Sequence, residues 1–141
     1  MRRFGLFLAI VTAFIGGPVL AQQRHIPKAQ LEEMFTNIET QTPWNMKGNM
    51  LWGYFFTGTD QGELKKVATE LADDGYRLVE IRKRESDAPQ AAQEWQLHVE
   101  RIETHSVDSL NTRNSALEEV ASHFISVVYD GMDVGPAEKV K

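Results

Sequence analysis

The sequence predicts an α+β fold: an antiparallel sheet in β-α-β-β-α-β order, with one extra N-terminal helix. Three observations carry this. Two stretches place apolar residues at helical spacing behind a capping residue. Four short stretches are apolar or alternating and are bounded by Gly, Asp or Pro. The two kinds interleave as in the ferredoxin-like split βαβ arrangement, whose first and third strands are central and whose helices share one face.

The extra helix opens at Pro27 and carries the stripe Leu31, Met34, Phe35 and Ile38, an i, i+3, i+4, i+7 face. Thr42-Pro43 ends it, because the residue before a proline is pushed out of the helical region. Met50 to Thr57 (MLWGYFFT) reads as the first strand. Asp60-Gln61-Gly62-Glu63 is a capping-box pattern ahead of Leu64, Val67, Ala68 and Leu71, and Gly75 suits the helix end. Tyr76 to Arg84 alternates, with Val79 and Ile81 opposite Glu80 and Arg82, and predicts a half-buried strand.

After the Ser86–Pro89 turn, Glu94 to Thr104 alternates again, Trp95, Leu97 and Val99 against Gln96, His98 and Glu100. Ser106 or Asp108 caps the next helix, whose strongest face is Leu117, Val120, Ala121 and Phe124. Ser126 to Asp130 is the last strand, running into a turn at Gly131. The strands richest in large apolar side chains, Leu51–Phe56 and Trp95–Val99, are the two the arrangement makes central.

Residues 1–21 have the pattern of a signal peptide. Arg2 and Arg3 precede the uncharged run Phe4–Ile15, Gly16-Gly17-Pro18 breaks it, and Val19-Leu20-Ala21 offers small residues for cleavage. The apolar run is too short for a good membrane span. Cleavage after Ala21 leaves 120 residues with 13 basic against 20 acidic, a net charge of −7, and no stable membrane anchor. The expected location is periplasmic or secreted. The chain then divides into residues 22–49 (helix and loop), 50–136 (the sheet domain) and 137–141 (a polar tail).

Composition narrows the function. There is no Cys, which excludes a disulfide scaffold, a thiolate metal site and a cysteine nucleophile. The acidic balance argues against nucleic acid, and the third strand, EWQLHVERIETH, lacks the basic, aromatic signature of an RNA-recognition motif. His25, His98, His105 and His123 form no HxH or HExxH pattern, and His98 and His105 fall on opposite faces of a regular strand. No nucleophile elbow, Walker A or GxGxxG sequence occurs, so neither a catalytic residue, a cofactor nor a metal is assigned.

The first strand is apolar on both sides, Leu51 and Phe55 facing one way and Trp52, Tyr54 and Phe56 the other. The two core helices share one face and leave the other open, so either the N-terminal helix folds back over that open face and buries its stripe against this strand, or the aromatics form an exposed binding patch. The helix stripe has to be buried somewhere, which favours the closed arrangement.

The segment Leu117-Glu118-Glu119-Val120-Ala121-Ser122-His123-Phe124, followed by Tyr129-Asp130-Gly131-Met132-Asp133-Val134-Gly135-Pro136, resembles the C-terminal part of the RraB family of ribonuclease-activity regulators. The helix end Asp73-Asp74-Gly75-Tyr76 is similar to the family's first core helix and "GY" strand, so the resemblance runs over residues 50–136. It implies a non-catalytic protein that binds another protein, the family's characterised activity being inhibition of ribonuclease E in the cytoplasm. An export signal would separate the chain from that target. The candidate contact residues are therefore Trp52, Tyr54 and Phe56 on the sheet, and Tyr129, Asp130, Gly131, Met132 and Asp133 at the expected YDG turn. The alternatives are an immunity-type protein against a delivered toxin, a small-molecule binder or enzyme using the aromatic face, or a cytoplasmic ribonuclease E inhibitor.

Overall fold

The computed structural model describes residues 8–9, 25–88 and 90–137. The elements run β1 (Leu8–Ala9), α1 (Lys28–Gln41), β2 (Met50–Gly58), α2 (Gln61–Asp73), β3 (Arg77–Lys83), β4 (Trp95–Glu103), α3 (Val107–Ser122) and β5 (Val128–Pro136). The sheet order is β1-β5-β2-β4-β3 with antiparallel pairs throughout. Strands β2 to β5 reproduce the ferredoxin-like order, β2 and β4 at the centre. Apart from Leu8–Ala9, which pair with Val134 and Asp133, the expected signal segment lies outside the described residues.

Local chemistry sets the helix boundaries. Asp60 caps α2 by accepting the Gly62 and Glu63 N–H groups. Ser106, rather than Asp108, caps α3, in a reciprocal box with Ser109. The buried face of α3 is Leu110, Asn114, Leu117 and Ala121, with Val120 and Phe124 only half-buried. That face begins at Leu110, about two turns earlier than the sequence suggested, and it includes Asn114, a core residue whose Oδ1 accepts from the Tyr129 hydroxyl at 2.6 Å.

All three helices pack on one side of the sheet. Asn114 of α3 meets Tyr129 there, Arg101 on the same side donates to the carbonyl of Asp74 at the end of α2, and Phe35 of α1 stacks on Trp52 at 6.3 Å. Leu31, Met34 and Ile38 join the same core as Leu64, Val67, Leu97 and Val99. The stripe of α1 is thus buried, as the closed arrangement requires, but beside α3 rather than across the far side of the sheet. Among the described residues, no helix covers that far side.

Two expectations about strands need correction. β3 is an edge strand and mostly exposed rather than half-buried: Leu78 is 49% and Val79 38% exposed, and only Ile81 packs on the core. β3 lies at the sheet edge, and a register slip between Leu78 and Glu80 leaves Val79 unpaired with β4. Likewise Tyr129-Asp130-Gly131 is no terminating turn, since β5 continues to Pro136. Tyr129 pairs with Phe56 and Gly131 with Phe55, so Asp130 is the extra residue of a β-bulge, and Gly131 takes the positive φ of 116° that the bulge needs.

Candidate functional site

Alternation along the central strands decides what the uncovered face displays. Trp52, Tyr54 and Phe56 point into the core, so Leu51, Gly53 and Phe55 point out. Gln96, His98, Glu100 and Ile102 line up beside them on β4, with Glu80 and Arg82 opposite on β3. Beyond the bulge, Gly131 and Asp133 join from β5.

The centre of this face is Gly53, flanked by Asp133 on one neighbouring strand and His98 on the other. A Cβ at residue 53 would lie 2.4 Å from Asp133 Oδ1 and 2.9 Å from His98 Nε2. Glycine is therefore required there, because two polar tips occupy the space of a side chain. Phe55 stacks on the His98 ring, centroids 4.4 Å apart and planes 25° apart. Burial pushes the Asp133 carboxyl up to about 6, with the Gly53 main-chain N–H opposing the shift. Burial likewise lowers the His98 imidazole below its ordinary value, against the pull of Glu80 and with the push of Arg77 and Arg82.

Charge on this face is otherwise matched. Glu100 pairs with Arg77, Glu80 lies 3.9 Å from Arg82, and Asp130 at the bulge lies 3.7 Å from Arg84. Asp133 has no cation within 4.0 Å among the described residues.

A second polar cluster sits on the helix side. The Tyr54 hydroxyl donates to Glu103 Oε2 at 2.6 Å, and Arg113 donates to Glu103 Oε1 at 2.7 Å. His105 Nε2 lies 3.1 Å from Glu103 Oε2 and its Nδ1 lies 2.8 Å from Ser109 Oγ. Burial resists ionisation of Glu103, but hydrogen bonds from His105 and Tyr54 and the nearby Arg113 outweigh it and hold the carboxyl at about 2. Burial and the Glu103 charge raise the Tyr54 phenol far above its ordinary value, keeping it a donor. A Glu-His-Tyr trio has the groups of acid–base chemistry. Here Tyr54 and His105 are buried beneath α1 and α3, and the trio ties the end of β4 to α3.

The sequence-derived contact residues divide accordingly. Trp52, Tyr54, Phe56, Tyr129 and Met132 are fully or almost fully buried, so their side chains are core and offer no surface to a partner. Gly131 is buried in the bulge, and Asp130 and Asp133 are half-buried. Gly53, Phe55 and His98 were not among the contact residues expected from the sequence. The available signal was Gly53 itself, a glycine interrupting a run of aromatics in a central strand, which marks a close approach. His98 and His105 do fall on opposite faces, and no cluster of three metal-ligating side chains exists among the described residues.

Comparison with known families gives the lineage. The family model described as regulator of ribonuclease activity B matches residues 28–134. The chain belongs to the RraB family. The RraB match begins at the start of α1 and so takes in that helix as well as the sheet. No curated protein matches the chain.

Proposed function

We propose that this RraB-family protein is exported and acts without catalysis of its own, by binding another protein and modulating it. The carrying observation is the family match over residues 28–134, which brings a regulatory, protein-binding role. The geometry supports the same reading. Trp52, Tyr54, Phe56 and Tyr129 are sealed inside, the Glu-His-Tyr trio is half-enclosed beneath the helices, and the sheet face around Gly53, Phe55, His98 and Asp133 is left for recognition. Export is supported by Arg2 and Arg3, the uncharged run Phe4–Ile15 and the small residues ending at Ala21. Among the described residues, no helix is long and apolar enough to cross a membrane.

Cell fractionation with intact-mass analysis tests the export half, and affinity capture from the same fraction tests the binding half. The expected species is periplasmic, begins at Gln22 and recovers a saturable protein partner. A cytoplasmic species retaining Met1 overturns export and makes a ribonuclease the partner to try first. Failure to recover any partner from either compartment overturns the binding role.

A further inference from the structure

Asp133 is the carboxylate of the open face without a matching cation, and its surroundings are built to keep it that way. Its Oδ1 lies over Gly53 from the β5 side while His98 Nε2 lies over the same glycine from the β4 side. No hydrogen bond joins the two. Two acceptors therefore converge on one glycine, with Nε2 accepting when the imidazole proton is on Nδ1. Beside them the stacked Phe55 and His98 rings present a flat surface. The arginines of the face are engaged elsewhere: Arg77 with Glu100, Arg82 beside Glu80, and Arg84 between Glu94 and Asp130.

We propose that the Gly53–His98–Asp133 cradle is the receptor for an arginine side chain of the protein partner, held by Asp133 and His98 and laid against the Phe55–His98 pair. This rests on the protein-binding reading above and adds the chemistry of the contact. A guanidinium meets each requirement. It is a permanent cation for the unmatched carboxylate, its N–H groups form a fixed planar fork that reaches two separated acceptors, and its flat face stacks on aromatic rings. The acidic surplus of the chain, 20 Asp+Glu against 15 Lys+Arg, attracts a basic partner towards the face.

The test uses the full isolated chain and the peptide acetyl-Gly-Arg-Gly-amide, with the citrulline peptide as its neutral isostere, followed by NMR shifts of the His98 ring and the Asp133 carboxyl. The arginine peptide is expected to bind in the millimolar range and shift both groups, while the citrulline peptide leaves them unmoved. Asp133→Asn keeps the shape and removes the charge, and is expected to weaken binding about fivefold or more. Gly53→Ala forces the two polar tips apart and is expected to abolish the paired shift. Because Gly53→Ala also strains the sheet, Asp133→Asn is the deciding variant. Equal binding of citrulline, indifference to Asp133→Asn, or no binding of the arginine peptide overturns the proposal. These readouts concern the isolated protein and failed partner capture concerns the binding role, so the two fail separately.

Discussion

Two carboxylates on opposite faces of one sheet are treated in opposite ways. Glu103, on the helix side, receives Tyr54, His105 and Arg113 and ionises more readily than a free glutamate. Asp133, on the open side, has no cation within 4.0 Å among the described residues, and burial makes it ionise less readily than a free aspartate. Both Glu103 oxygens find their partners within the chain. The Asp133 arrangement has acceptors left over. A buried or half-buried polar group is stable when its partners are internal and available for recognition when they are not. By that criterion Glu103 belongs to the scaffold, and Asp133 is the carboxylate on which the proposed contact rests.

The sharpest way to break the comparison is at Glu103. Glu103→Gln leaves Arg113 facing a neutral amide inside a half-enclosed cluster and is expected to destabilise the fold by about 3 kcal/mol at pH 7, allowing for partial solvent screening. Its folded carboxyl titrates at about 2, below the value of 4.5 for a free glutamate. The stabilisation it provides is therefore complete above pH 4.5 and lost as pH falls towards 2. Denaturant melts at pH 7 and pH 3 should show wild type losing stability between them and Glu103→Gln losing less. Equal losses would mean that the cluster does not set the acid limit.

Next in size is the device that puts Asp133 on its face. Strict alternation would place Tyr129, Gly131 and Asp133 together. The extra residue at Asp130 inverts the parity, so Tyr129 and Met132 both enter the core while Asp133 turns outward. Gly131 makes this possible with its φ of 116°. Gly131→Ala is expected to cost about 1–2 kcal/mol, since a Cβ is strained in that region of backbone space. A thermal melt unchanged from wild type would show that the bulge tolerates a side chain.

That inversion also marks where the sequence stopped being legible. The strand order, both caps of the aspartate and serine type, and the central position of β2 and β4 follow from spacing that acts locally. Whether Trp52 and Phe55 face core or solvent does not, because both sides of MLWGYFFT are apolar and only the side taken by the three helices decides. The bulge was equally hidden: Tyr-Asp-Gly is a good turn and a good bulge, and the partner strand makes the choice. The β3 slip at Val79 belongs to the same class. Burial of the Tyr54–Glu103–His105 trio depends on contacts between residues 49 and 51 positions apart, beyond any periodicity.

The smallest effect expected has the opposite sign to the others. Asp133 titrates at about 6 in the fold against 3.8 for a free aspartate, so its ionisation opposes folding. The opposition is absent below pH 3.8, grows as pH rises through 6 and is complete above it. Asp133→Asn removes it and is expected to stabilise the protein by about 1 kcal/mol at pH 8, after discounting for the water that reaches the group, and by almost nothing at pH 4. Paired thermal melts at those two pH values measure the difference directly. If Asp133→Asn is destabilising at pH 8, the carboxylate has a favourable internal role and resembles Glu103 after all. If it is stabilising, the chain keeps an unmatched charge on its open face at the expense of its own stability, as a group whose counterpart lies on another molecule would be kept.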